Sequence, residues 1–190
     1  MTLRRTLQLV REDLLRRAKA DRKAFNWFAY VKMFTNPHVA PIILFRVQCL
    51  LHANGLPTFA GMLKNLNALL FKCDLASEAE IGGGLFFAHA QMIVIGAGCR
   101  LGRNCVFAHN NTLLADWPPP LHGGLPRAGT LVLEDGVVVG AGARVLGALT
   151  VGARSVVGMN AVLRESVPPL SLALGVPARV VRVLEPDKEY

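Results

Sequence analysis

From residue 75 onward an apolar residue recurs every six positions and is often followed by glycine. A two-residue insertion, Ile93-Val94, shifts this register once, and the interval 114–130 interrupts it. An α-helix drifts away from a six-residue period, and repeated glycines within one would cost about 1 kcal/mol each. The pattern is instead typical of short strands joined by tight turns, the hexapeptide signature of a parallel β-helix. The repeating positions are Leu75, Ile81, Phe87, Ile95, Leu101, Phe107, Leu133, Val139, Val145, Val151, Val157 and Leu163.

Three hexapeptides make one triangular coil, so residues 18 apart should lie on top of each other. This predicts that Val139 stacks on Val157 and Leu133 on Val151. Ile81 should stack on Leu101, 20 residues away, because the insertion lies between them. The repeating apolar side chains then point inward, and glycine permits the backbone angles of the corners.

The first 72 residues lack this repeat and predict a small unit of three helices. The second helix should run from Pro41 to Asn54-Gly55, and the third from Pro57 to about Lys72. The first should span residues 2–23 and bury a stripe spaced by three or four residues. That stripe consists of Leu3, Leu7, Val10 and Leu14.

The expected fold is therefore mainly β, a parallel β-helix with a small N-terminal helical unit. We place the helical unit at 1–72, the β-helix at 73–184 and a C-terminal tail at 185–190. The break at 114–130 contains three consecutive prolines, which predict a stiff loop extruded from the coils. Loops that leave a rigid scaffold often carry function.

The net charge is +8, but the distribution of the charged residues does not favour a nucleic-acid partner. Eight basic and three acidic residues lie within residues 1–23, so the excess sits on one helix and not on an aromatic-lined groove. A solvated helix face is the simpler interpretation, and peripheral contact with a membrane surface is the alternative. No signal-peptide pattern is present, and the apolar run 39–51 is interrupted by Arg46 and too short to span a bilayer. We expect a cytoplasmic protein.

The four cysteines show neither a CxxC motif nor the Cys/His spacing of a metal site. Cys99 and Cys105 are one hexapeptide apart and should lie on different faces of a coil. Together with Cys49 and Cys73, they are expected to be free, structural thiols in a reducing compartment. We expect no metal.

Residues 73–182 resemble the serine acetyltransferase group of left-handed β-helix acyltransferases. The hexapeptides alone are weakly specific, but a histidine followed by the two-residue insertion and the closing Gly-Val-Pro-Ala-Arg are strong features. The left-handed winding is implied by this resemblance only, since the general crossover rule favours the opposite hand. The matching stretches are Cys73-Asp74-Leu75, 87–96, 139–143 and 175–181.

The resemblance implies transfer of an acyl group from acetyl-CoA, or another acyl-CoA, to an acceptor hydroxyl. It also implies a homotrimer with active sites between neighbouring β-helices. By motif match the general base is His89, and imidazole is suited to this role because it titrates near neutral pH. His89 is the third residue of its hexapeptide and projects outward. An ordinary surface histidine is the alternative interpretation.

Further site residues are implied by the same match. Asp74 would help to hold the acceptor, or would merely form a turn before the first coil. His109 and His122 could assist, or could be incidental. The thioester would lie near backbone amides of Thr112 and Leu113. The remaining CoA contacts would come from Ala141, Gly142, Met159 and Asn160, with Arg179 near the phosphates.

Two departures from the family pattern concern the acceptor. Ala88 stands where serine acetyltransferases carry an aspartate, and Thr130 stands about where they carry a second histidine. These departures predict a small-molecule, saccharide or metabolite hydroxyl other than L-serine as acceptor. A true serine O-acetyltransferase and an inactive β-helix binding or scaffold protein are the alternatives. The helical unit is short for the family, which favours a single trimer.

Overall fold

The structure is a computed structural model that describes residues 1–22, 36–116 and 129–186. Within these ranges, three helices precede a stack of short strands. The helices are α1 (Leu3–Ala20), α2 (Ala40–Ala53) and α3 (Pro57–Phe71). The Thr2 hydroxyl caps α1 by accepting a hydrogen bond from the Arg5 amide, and α2 and α3 both have proline in their first turn.

The strands form three sheets, which we call faces A, B and C of a triangular prism. Face A contains β1, β4, β7, β10 and β13, face B contains β2, β5, β8 and β11, and face C contains the remainder. The strands are β1 Cys73–Leu75, β2 Glu80–Ile81, β3 Phe86–Phe87, β4 Ile93–Ile95, β5 Cys99–Leu101, β6 Val106–Phe107, β7 Thr112–Leu114, β8 Leu131–Leu133, β9 Val138–Val139, β10 Arg144–Leu146, β11 Thr150–Val151, β12 Val156–Val157, β13 Val162–Leu163, β14 Ser171–Gly175 and β15 Ala178–Val183.

Successive coils pair in parallel, and the predicted stacking is confirmed. Val157 lies opposite Val139, Val151 opposite Leu133, and Leu101 opposite Ile81. The repeating apolar residues form one buried core that fills the prism. Face C adds an edge-to-face contact between Phe87 and Phe107, whose ring centroids are 6.0 Å apart. Burial of these side chains supplies the main driving force for winding the coils.

The C-terminal end of the prism is closed by a hairpin. Strand β15 runs antiparallel to β14, whereas the pairings between successive coils are parallel. The four cysteines are free, as the sequence predicts. Burial raises the pKa of Cys105 to about 12 and that of Cys73 and Cys99 to about 11, so these thiols stay protonated and unreactive at neutral pH.

The predicted buried stripe of helix α1 is wrong in its first half. Leu3 and Leu7 are exposed, with 61% and 60% of their surfaces accessible. The buried side of α1 instead carries Thr6, Leu9, Asp13, Leu14 and Ala18. Asp13 lies on this buried side because it has a buried cationic partner.

That partner is Arg46 of helix α2, which ties both helices to the β-helix. Its guanidinium forms a two-point ion pair with the Asp13 carboxylate, at 2.9 and 3.3 Å. It also donates to the carbonyl oxygens of Ile81 and Gly82, each at 2.6 Å, and the Leu85 amide donates to Asp13. Helices α1 and α2 are thereby fixed against the turn between β2 and β3.

Helix α3 leads directly into β1, and its outward side is apolar. Phe59, Met62, Leu66, Leu69 and Leu70 are exposed there. Contiguous exposed apolar surface of this kind commonly marks an interaction site. No helix within the described ranges is long and apolar enough to cross a bilayer. The domain boundaries at 72/73 and 184/185 stay predictions.

Candidate active site

The candidate site lies where the chain turns from face C to face A. Four turns stack at this edge, and we call them the site corner: residues 88–92, 108–111, 140–143 and 158–161. They are joined by backbone hydrogen bonds from Asn110 to Gln91, from Gly142 to His109 and from Asn160 to Ala141, at 2.8 to 3.0 Å. The hexapeptide register thus aligns side chains from four successive coils.

Each of these turns contains one residue in the left-handed backbone region. The φ angles are 56° at Met92, 57° at Asn110, 73° at Gly142 and 55° at Asn160. Glycine and asparagine adopt this region most readily, which explains their presence in three of the four turns. The side chains of His89 and His109, in the first two turns, are exposed.

His89 and His109 occupy equivalent positions in neighbouring turns, and both are exposed. Their ring centroids are 6.1 Å apart, with an interplanar angle of 73°. The turn that carries His89 is anchored by the Ala88 amide, which donates to the Phe107 carbonyl at 2.8 Å. An exposed imidazole on a rigid scaffold can accept a proton from a bound hydroxyl.

A third imidazole reaches the site from the helical unit and was not predicted from the sequence. The His38 ring lies edge-on to the His89 ring, with centroids 5.5 Å apart. The Ala90 amide donates a hydrogen bond to His38 Nδ1 at 3.1 Å. The one available signal was a histidine directly after Asn36-Pro37, which by itself indicates only a turn.

Partial burial lowers the pKa of His38 below its ordinary value. The positive charges of Arg17 and of protonated His89 lower this pKa further, and Asp21 acts against them. His38 is therefore neutral at physiological pH. With Nδ1 accepting from Ala90, its proton lies on Nε2.

Asp74 lies on the outer side of face A. Its carboxylate is paired with Lys64 of helix α3, at 3.0 Å, and about half of the Asp74 side chain is exposed. Along the face, Asp74 is opposite Val94, which is opposite Thr112. Asp74 and Thr112 therefore share one row of outward positions, separated by one strand.

The residues predicted to contact CoA fall into three groups. Ala141, Gly142, Met159 and Asn160 lie in the site corner, in line with His89.

The second group lies on strand β7. The Leu113 side chain is fully buried, so only its backbone could contact a ligand. The Thr112 amide already donates to the Ala143 carbonyl at 3.2 Å.

Arg179 lies apart from the site corner, on strand β15. Its guanidinium is 3.3 Å from the Glu165 carboxylate, and both side chains are largely exposed. His122 falls outside the described residues. Within residues 1–22, 36–116 and 129–186, no three or more His, Cys, Asp or Glu side chains are arranged to hold a metal ion.

No protein-family model matches the chain. The chain is 31% identical to the serine acetyltransferase of Escherichia coli (strain K12) over 147 residues, which make up 76% of this chain and 50% of that protein. It is 30% identical to the serine acetyltransferase of Mycobacterium tuberculosis over 184 residues, 95% of this chain and 76% of that protein. The chain thus spans half the length of the first relative and about three quarters of the second.

Solved structures give the same likeness over nearly the whole chain. The serine acetyltransferase of Neisseria gonorrhoeae matches with a TM-score of 0.82 and 28% identity, over 95% of this chain and 68% of that one. A soybean serine acetyltransferase complexed with serine matches with a TM-score of 0.79 and 29% identity, over 93% of this chain and 69% of that one. The similarity therefore includes the helices as well as the β-helix.

Proposed function

This chain belongs to the serine acetyltransferase family of left-handed β-helix acyltransferases, and from that premise we propose that it transfers an acetyl group from acetyl-CoA to an acceptor hydroxyl. The observation that carries the proposal is the exposed imidazole of His89, in line with the outer turns of the following coils. A scaffold protein would need only the inward apolar residues, whereas this corner presents a proton acceptor beside an extended edge.

In the proposed reaction His89 is the general base. It takes the proton from the acceptor hydroxyl while the hydroxyl oxygen attacks the thioester carbonyl carbon. The C–S bond then breaks, CoA leaves as a thiolate, and the thiolate takes the proton from the imidazolium of His89. The products are an acetyl ester and CoA thiol, and a positioned base contributes about 10²–10⁴ in rate.

We propose L-serine as the acceptor. The support is that the reported relatives are serine acetyltransferases, one of them solved with serine. A different hydroxyl, such as that of a saccharide, is the second candidate. It is favoured by Ala88, which places a methyl group where the family pattern has a carboxylate beside the base.

An acceptor panel distinguishes these candidates. Acetyl-CoA is incubated with the protein and with L-serine, sugars or small alcohols, and release of CoA thiol is followed by its absorbance after reaction with a disulfide reagent. We expect L-serine to give the highest kcat/KM. Faster turnover of a sugar would replace serine by the second candidate. No turnover and no thermal shift with acetyl-CoA would indicate an inactive β-helix protein.

We propose that the chain assembles as a homotrimer. The family resemblance implies this assembly, and the exposed apolar side of helix α3 supports contact with another copy. Sedimentation equilibrium should give three times the chain mass of 20.5 kDa. A monomer mass at micromolar concentration would contradict the proposal. Peripheral membrane contact through helix α1 stays a prediction.

A further inference from the structure

The turn that carries His89 is held at both ends by side chains from the helical unit. Before His89, the Phe87 carbonyl accepts a hydrogen bond from Arg17 Nη1 at 3.2 Å. After His89, the Ala90 amide donates to His38 Nδ1 at 3.1 Å. These partners lie 70 and 52 positions away in sequence, so both bonds depend on the docking of the helices.

The Arg17 bond does not depend on pH in the working range, because arginine stays charged. Its guanidinium also lies 5.2 Å from the centroid of the Phe86 ring, and its Nε is 3.2 Å from the Asp21 carboxylate. These contacts fix the guanidinium above strand β3. The strand that leads into the His89 turn is therefore held by a hydrogen bond that does not change with pH.

The His38 bond exists only while His38 is neutral. Protonation would place a proton on Nδ1, which would then face the Ala90 N–H as a second donor. The same protonation would add a positive charge 5.5 Å from the centre of the His89 ring. Both effects would disturb a base that must be neutral and correctly placed.

We propose that His38 is a positioning residue for acetyl transfer: its neutral Nδ1 holds the Ala90 amide and so fixes the imidazole of His89. The inference rests on the proposed function, because it requires His89 to act as the base. Its expected importance follows from the sensitivity of oriented reactions to geometry. A displacement of about 1 Å at the reacting groups can cost about 100-fold in rate.

Two variants distinguish the role of His38 Nδ1 as a hydrogen-bond acceptor from the role of the imidazole ring as a space-filling group. His38→Asn keeps an acceptor, because Asn Oδ1 can take a position close to that of Nδ1. His38→Phe keeps a ring but has no acceptor. We expect His38→Phe to lower kcat by about 10- to 100-fold with little change in KM for acetyl-CoA, and His38→Asn to recover most of that loss. Equal kcat for wild type and both variants would overturn the proposal.

The acid side of the pH profile gives a second readout that a purely structural role would not change. The charged or titratable groups around His38 are Arg17 and Asp21 of helix α1 and His89 of the turn. Of these, the imidazoles are the groups that titrate near neutral pH. In the wild type, protonation of His38 should add a loss of up to about 10- to 100-fold on the acid side of the profile, so log kcat/KM should fall more steeply with decreasing pH than in His38→Asn. An equally steep acid side in His38→Asn would contradict the inference.

A measurement without turnover distinguishes failure of this inference from failure of the proposed function. Nitrogen NMR of protein labelled at histidine should show His38 as the neutral tautomer with the proton on Nε2 and Nδ1 as an acceptor. If this tautomer is found but no acceptor is acetylated, the proposed function fails and the contact stands. If acetylation occurs but Nδ1 carries the proton, the positioning role fails alone. Should His38→Phe not fold, His38→Asn and the wild-type profile still decide.

Discussion

Replacing His89 by alanine is expected to lower kcat for acetyl transfer by about 10²–10⁴-fold and to leave the melting temperature nearly unchanged. The rate falls because a hydroxyl is a poor nucleophile until a base takes its proton. The fold is unaffected because the His89 side chain is exposed and contributes nothing to the core of the prism. Thiol release under saturating acetyl-CoA and acceptor measures the first effect, and circular dichroism during heating measures the second.

Two matched variants test whether the decrease in kcat is specific to the loss of His89. His109→Ala removes the equivalent imidazole of the next coil, and it should cost much less than His89→Ala if His109 only assists. His52→Ala removes an imidazole that lines a cavity against face B, and it should leave kcat unchanged.

Added imidazole should partly restore the activity of His89→Ala, since a small base can enter the space left by the side chain. An equal loss in His89→Ala and His109→Ala would mean that the base is shared or misassigned. Failure of added imidazole to raise the rate of His89→Ala at any pH would argue that His89 has a binding role instead.

The β-helix could be predicted from the sequence because its signal is local and repeated. A six-residue period assigns each inward position, and the insertion at Ile93-Val94 fixes how the first coils align. The same register aligns His89 with the turns at 140–143 and 158–161, so the spacing alone places those turns on one edge. The winding hand came from the family resemblance, since a periodicity of six fits either hand.

The contacts between the helices and the β-helix could not be predicted in this way. His38 and Ala90 are 52 residues apart, and Asp13 and Arg46 are 33 apart, with no repeat to fix their relative positions. Charged residues are rarely fully buried unless they are paired, so the sequence of α1 alone does not indicate that Asp13 lies on its buried side. Nothing in the described residues tests the role predicted for His122.

Replacing Arg46 by methionine is expected to destabilise the protein by about 3–5 kcal/mol, because it leaves the Asp13 carboxylate buried without its cationic partner. Arg46 and Asp13 are only 2% and 4% exposed. The variant also removes the donors to the Ile81 and Gly82 carbonyls. For a chain of this size the melting temperature should fall by roughly 6–20 °C. Thermal and urea unfolding measure the change.

A surface arginine provides the matched control. Arg100 pairs with Glu80 at 3.4 Å, but these side chains are 60% and 70% exposed. Arg100→Met should therefore cost less than about 1 kcal/mol. Similar losses in both arginine variants would show that the environment of Arg46 has no special importance.

The pH dependence of the stability lost in Arg46→Met identifies the cause of that loss. Burial raises the pKa of Asp13, and Arg46 acts against that rise, so Arg46→Met should raise this pKa further. The folded variant then holds a proton that the unfolded chain releases, and its stability falls as pH rises above about 4. The difference in free energy of unfolding between wild type and Arg46→Met should accordingly be smaller at pH 4 than at pH 7.

Adding Asp13→Asn to Arg46→Met should recover part of the stability at pH 7, because asparagine carries no charge and still accepts from the Leu85 amide. Suppose that the stability difference does not become smaller at low pH and that the double variant recovers no stability. The buried charge of Asp13 would then not be the cause of the loss. The loss of stability would then come from the packing of Arg46 against Phe45 and from the carbonyl oxygens of Ile81 and Gly82, which lose their hydrogen-bond donors.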